Sequence, residues 1–90
     1  MNKSVFTEKY TRFRRLLIEI RQSSKLTQVQ VAQRLHKPQS FVSKYERGER
    51  RLDVVEFLEV AKALEVNPSE LLTQLDRPTV EQGSTNLGEF

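Results

Sequence analysis

Large apolar residues recur at steps of three and four from early in the chain. Tyr10, Phe13, Leu16, Leu17 and Ile20 share one helical face, while Lys9, Arg12, Arg14 and Arg15 mostly occupy the others, so residues 7–23 predict an amphipathic helix with Thr7 placed to cap it. In "SSKLTQVQVAQRL" the pair Thr27 and Gln30 has the spacing of a capping box, and Val31, Ala32 and Leu35 form the apolar stripe of a second helix over 28–35. Pro38 tolerates only a first-turn helical position and pushes Lys37 towards extended backbone, so "HKP" reads as a tight break. A third helix then starts at Pro38 and ends where Gly48 can adopt left-handed backbone. Asp53 and Glu56 repeat the box spacing, and apolar residues at 54, 57, 58, 61 and 64 predict a fourth helix over 54–65. Asn67 as cap, Pro68 at the first position and Leu71, Leu72 and Leu75 complete the pattern with a short fifth helix.

No strand-like alternation, useful repeat or heptad array appears, so the fold class is all-α, a compact five-helix domain. Ninety residues support one core rather than two. The domain is expected over residues 1–75. From Asp76 the composition changes to "DRPTVEQGSTNLGEF", whose few large apolar groups do not repay backbone ordering, and residues 76–90 are expected to form a flexible tail.

The chemistry of the remaining residues narrows the function classes. There is no cysteine and one histidine, His36, which reads as a turn residue; no metal or other cofactor is implied. The chain has no glycine-rich phosphate loop and no paired carboxylates flanked by apolar residues, which argues against an enzyme. No run is long and apolar enough for a signal peptide or a membrane span, so a soluble cytoplasmic protein without membrane partners is the expectation. Charge is divided by half: residues 1–51 carry 13 Lys and Arg against 4 Asp and Glu, a net +9, whereas residues 52–90 carry 2 against 8, a net −6. The overall +3 conceals a basic field that steers towards polyanions, with nucleic acid first among them.

The third helix carries the sharpest signal. Its apolar pair at helical spacing is Val42 and Tyr45, whereas Gln39, Ser40, Ser43, Lys44 and Arg47 form a polar stripe. Positions 39, 43, 47 and 40, 44 lie on one side of a helix, with 42, 45 and 46 opposite. Two short helices joined by a tight turn, the second poor in apolar anchors, form the helix-turn-helix arrangement that lays one helix across a phosphate backbone and the other in the major groove. Glutamine pairs bidentately with adenine and lysine donates to guanine N7 and O6.

The stretch from Leu26 to Val66 resembles the Cro and phage-repressor helix-turn-helix family, also called XRE-type. The resemblance is carried by Leu26-Thr27-Gln28, Val31-Ala32, Leu35, Val42-Ser43, Tyr45-Glu46-Arg47-Gly48, Leu58 and Ala61-Lys62-Ala63-Leu64, aligned without a gap. It implies a five-helix domain that binds double-stranded DNA, usually as a homodimer on a palindromic operator. The expected role is a transcriptional regulator, a repressor encoded by a bacterium or phage and associated with the nucleoid when bound. On the same resemblance Gln28 contacts a phosphate and braces Gln39. Gln39, Ser40, Ser43 and Lys44 match base-facing positions, while Arg47, Arg50 and Arg51 match backbone contacts at the end of the helix and the loop after it. Arg21 and Glu46 match a partly buried ion pair between the first and third helices.

The sequence departs from the family at the turn, where His36 replaces a common glycine, Lys37 an apolar residue and Pro38 a serine or threonine cap. Lys37, freed from core duty, joins the candidate phosphate contacts. Phe41 has two readings, a packing contact to the second helix or an apolar contact to a thymine methyl or sugar. A different function class also fits the acidic second half and the tail: an antitoxin or adaptor that binds a protein partner through them, with DNA binding secondary.

Overall fold

The computed structural model describes residues 7–77 and contains α1 (Glu8–Ser23), α2 (Gln28–Leu35), α3 (Gln39–Arg47), α4 (Val54–Ala63) and α5 (Pro68–Asp76). Four of the five starts have the local cause expected of them. Thr7 Oγ1 accepts from the Tyr10 amide at 3.0 Å. Thr27 with Gln30, and Asp53 with Glu56, form reciprocal capping boxes. Asn67 Oδ1 accepts from the amides of Ser69 and Glu70, with Pro68 in the first turn. Pro38 stands one residue earlier than expected, as the N-cap of α3 in extended conformation with no side-chain cap. The tail expected from residue 76 lies outside the described residues except at its first two positions, because α5 continues through Asp76.

The helix ends share one device. After α1, α2, α3 and α4 a single left-handed residue reverses the chain: Lys25, His36, Gly48 and Glu65, with φ of 61°, 59°, 84° and 61°. In each case its amide and the next return to carbonyls of the last turn; Lys37 bonds Ala32 at 3.0 Å and Glu49 bonds Lys44 at 2.9 Å. Glu65 in this role stops α4 at Ala63, two residues before the expected end. A β-carbon in left-handed backbone costs about 1–2 kcal/mol, so three of the four turns store strain that their paired amides and the packing around them must offset.

The core lies between the helices rather than along any one of them. Phe13 and Leu17 of α1, Val31 and Ala32 of α2, and Val42 and Tyr45 of α3 meet Phe57, Val60 and Ala61 of α4 and Leu71 of α5. The rings of Phe13 and Phe57 meet edge-on, 5.5 Å between centroids. On α4 the buried side differs from the expected stripe: Val60 is fully buried, while Val54 and Leu58 are 74% and 48% exposed. Apolar residues cover most of the circumference of this helix, so periodicity alone does not choose its inward side. Among the described residues no helix is long and apolar enough to cross a membrane.

The Gly48 turn lies against Arg14 of α1. A β-carbon there would meet Arg14 Nε at 3.1 Å in addition to the left-handed backbone. Gly48→Ala is therefore expected to lower unfolding free energy by about 1–2 kcal/mol. At His36 the relief of about 1–2 kcal/mol of strain by glycine is only partly offset by about 0.4–1 kcal/mol of unfolded-chain entropy, so His36→Gly is expected to be neutral to slightly stabilising. Urea denaturation of both variants measures the contrast, and equal effects would contradict this account of the turns.

Candidate nucleic-acid interface

Helix α3 is anchored from beneath and left open above. Val42 and Tyr45 are buried, and burial followed by the neighbouring Glu46 carboxylate pushes the Tyr45 hydroxyl well above its ordinary range, so it stays neutral. Gln39, Ser40, Lys44 and Arg47 are exposed on the other side and Ser43 is half-buried. Phe41 is half-buried against the core, edge-on to Tyr45 at 5.6 Å, with Lys37 Nζ at 5.2 Å and Arg50 Cζ at 4.8 Å from its ring centroid. In this structure the ring therefore packs, and it gathers two of the candidate phosphate-binding cations around itself.

A hydrogen-bonded relay ties this surface to the interior. The Arg21 guanidinium grips Glu46 through Nε to Oε2 at 2.7 Å and Nη2 to Oε1 at 3.1 Å, with side chains 15% and 5% exposed. Arg21 Nη1 also donates to the Leu26 carbonyl at 2.9 Å, which holds the turn before α2. Gln28 Nε2 donates to Glu46 Oε1 and Gln39 Nε2 donates to Gln28 Oε1, each at 2.9 Å. The relay thus joins α1, α3 and α2, and reaches the first residue of α3. The ion pair and the glutamine brace implied by the family resemblance are both formed.

The rim cations Arg47 and Arg50 are held by Glu49, which no sequence pattern marks, and by Glu56, which the sequence marks only as a capping residue. Arg47 donates Nε and Nη2 to the Glu49 carboxylate at 2.9 and 3.0 Å, and Nη1 to Ser43 Oγ. Arg50 donates Nη1 and Nη2 to Glu56 at 3.0 and 2.7 Å, and Nη1 to the Arg51 carbonyl at 3.0 Å. The Arg50 guanidinium, with the Asp53 backbone amide, holds the Glu56 carboxyl down at about 2. Arg51 turns towards α1, its Cζ 4.2 Å from the Tyr10 ring centroid. Gln28 and Gln39 are thus in contact, and Lys37 and Arg50 converge on Phe41.

Other arginines of the basic half serve helix ends. Arg14 Nη1 donates to the Glu46 carbonyl, Arg34 Nη1 to the Ala63 carbonyl at 2.7 Å, and Arg12 Nη2 to the Gln74 and Arg77 carbonyls at 3.5 and 3.3 Å. These acceptors lie at the C-terminal ends of α3, α4 and α5, where carbonyls lack helical donors and the dipole is negative. Part of the positive charge in residues 1–51 is therefore structural. No local spacing signals it, because each acceptor lies far along the chain from its donor.

A helix-turn-helix family model matches residues 17–71. The chain belongs to the XRE-type helix-turn-helix family. Among solved structures, an XRE-family-like protein from Pseudomonas syringae pv. tomato str. DC3000 is 44% identical, with a TM-score of 0.74 over 76% of this chain and 83% of the other. The restriction-modification controller protein C.AhdI from Aeromonas hydrophila is 32% identical, with a TM-score of 0.66 over 72% of this chain and 98% of the other. No curated protein matches the sequence. As a member of the XRE-type family the chain is a DNA-binding transcriptional regulator, and the family is one of non-enzymatic DNA-binding proteins.

Two stability predictions follow from the geometry of this XRE-type domain. Truncating either partner of the buried pair, Arg21→Ala or Glu46→Ala, leaves the other charge uncompensated and is expected to cost about 3–5 kcal/mol. The double variant should lose less than the sum of the two, and additive losses in a denaturation cycle would refute the coupling. Because the folded Glu56 carboxyl is held down at about 2, its contribution is present above the ordinary carboxylate range and disappears as pH falls towards 2. Glu56→Gln should flatten the acid side of the stability–pH curve between about pH 5 and 2, with little change in its slope above pH 6.

Proposed function

We propose that the protein is a sequence-specific repressor that inserts α3 into the major groove of double-stranded DNA and acts as a homodimer on a palindromic operator. The observation that carries this reading is the bare polar side of α3, whose first residue is braced by Gln28 while its opposite side is buried. Gln39, Ser40, Ser43 and Lys44 are the residues assigned to base edges. Gln28, Lys37, Arg47, Arg50 and Arg51 are assigned to phosphates, which position the domain without reading sequence. The pair of Arg47 with Glu49 is exposed and screened by solvent, so a phosphate can displace the carboxylate. Arg50 is held more firmly, yet its guanidinium keeps N–H groups beyond those given to Glu56 and Arg51.

Two-fold pairing supplies what one recognition helix lacks. A single α3 spans too few base pairs to single out an operator, whereas two half-sites about 34 Å apart double the reading. The contact assigned to the dimer lies on α5 and its neighbours, where Leu72 is 50% exposed beside Leu75 and, on α4, Val54 and Leu58 stand open. The similar protein from Aeromonas hydrophila is named as a controller of restriction-modification, which accords with a regulatory role for this chain.

Binding titrations on specific and scrambled duplexes at several salt concentrations test these roles. Gln39→Ala and Lys44→Ala should weaken specific binding while sparing scrambled duplex. Arg50→Ala should weaken both and reduce the salt slope by about one. Uniform effects of all three would refute the division of labour, and sedimentation of the same mixtures as monomer throughout would refute the homodimer.

A further inference from the structure

The hydrogen bonds that run from Glu46 to Gln39 have a direction, and it is set at the buried end. An ionised carboxylate accepts hydrogen bonds and donates none. Glu46, gripped by Arg21 through both oxygens, therefore receives only donors, and Gln28 turns its Nε2 towards it. What Gln28 then shows α3 is its Oε1, an acceptor, and Gln39 answers with Nε2. A neutral amide in place of Glu46 gives up one of the two Arg21 bonds whichever way it turns; with its nitrogen at the Oε1 position it would donate to Gln28, and both glutamines could then reverse while keeping the bonds between them.

We propose that Glu46 is a positioning residue for base readout: its charge, relayed by Gln28, decides which edge of the Gln39 amide faces outward and so selects adenine over guanine. The inference rests on the major-groove reading of α3 given above. With one N–H committed to Gln28, the exposed Gln39 side chain presents its Oε1 and its second N–H side by side. Adenine shows a donor at N6 and an acceptor at N7, which this edge complements; guanine shows two acceptors, N7 and O6. A reversed Gln39, with Oε1 turned inwards to a donor, presents only N–H groups and complements guanine instead.

The relay also identifies the variant that reverses it. Gln28→Lys keeps a donor for Glu46 but offers Gln39 only N–H, so Gln39 must turn its Oε1 inwards. Glu46→Gln removes the charge and leaves either direction open. Selection of duplexes from a random pool, with the fold of each protein checked by circular dichroism, reads the outcome. Wild type is expected to enrich one sequence, and Gln39→Ala to lose preference at one base pair of it. At that pair the adenine-to-guanine ratio is expected to fall about tenfold or more in Gln28→Lys, and also in Glu46→Gln where that variant folds, with other positions unchanged. A Glu46 of structural importance alone would lower affinity on every duplex alike. Retention of the wild-type ratio by Gln28→Lys, or by folded Glu46→Gln, overturns the proposal while leaving the major-groove reading intact. A wild-type protein that enriches no sequence overturns that reading.

Discussion

The buried grip of Arg21 on Glu46 is the interaction on which the arrangement of the first three helices depends. Taking both charges out of water costs several kcal/mol per ion, and their attraction offsets this only with good geometry and satisfied lone pairs. Both conditions are met here. The guanidinium contacts the carboxylate through two nitrogens, spends a third on the Leu26 carbonyl, and Gln28 supplies a further donor to Glu46. The same residues that satisfy the pair also fix the turn before α2 and the start of α3. A well-packed hydrophobic replacement can match the stability of a buried ion pair, but it would not orient Gln28 and Gln39.

Positive charge in this domain has two destinations. Arg12, Arg14 and Arg34 face carbonyls at helix ends and hold the C-termini of α5, α3 and α4. The Arg14 and Arg34 bonds are part-buried, whereas those of Arg12 lie at the surface. Lys37, Lys44 and Arg47 remain at the surface of α3 and the turn before it, where screening within about 8–10 Å governs their pull on a polyanion. Glu49 and Glu56 temper the arginines at this rim without burying them deeply. The net charge of a half-chain therefore overstates the charge available for binding.

The turn between α2 and α3 shows how a departure from a family pattern is absorbed. His36 adopts left-handed backbone in place of the usual glycine, and the amides of His36 and Lys37 close the helix end on Gln33 and Ala32. Pro38 caps without a side-chain acceptor, yet α3 still starts at Gln39, where the bond to Gln28 holds the first residue. Lys37, in a position usually apolar, extends over Phe41 instead of entering the core. The half-buried ring thereby shields the turn and draws cations towards the α3 surface.

Periodicities and spacings within a few residues mark the five helices, the N-caps of α1, α2, α4 and α5 and the polar side of α3 in the sequence alone. Thr27 with Gln30, Asp53 with Glu56 and the stop at Gly48 are all of this kind. Tertiary structure alone decided which side of α4 is buried, and that Glu65 ends it early, because a helix apolar on most sides takes its orientation from its neighbours. It also decided that Arg12, Arg14 and Arg34 go to carbonyls far along the chain. Arginines look alike along a chain; their partners are chosen by which carbonyl or carboxylate the packed helices bring within about 3 Å.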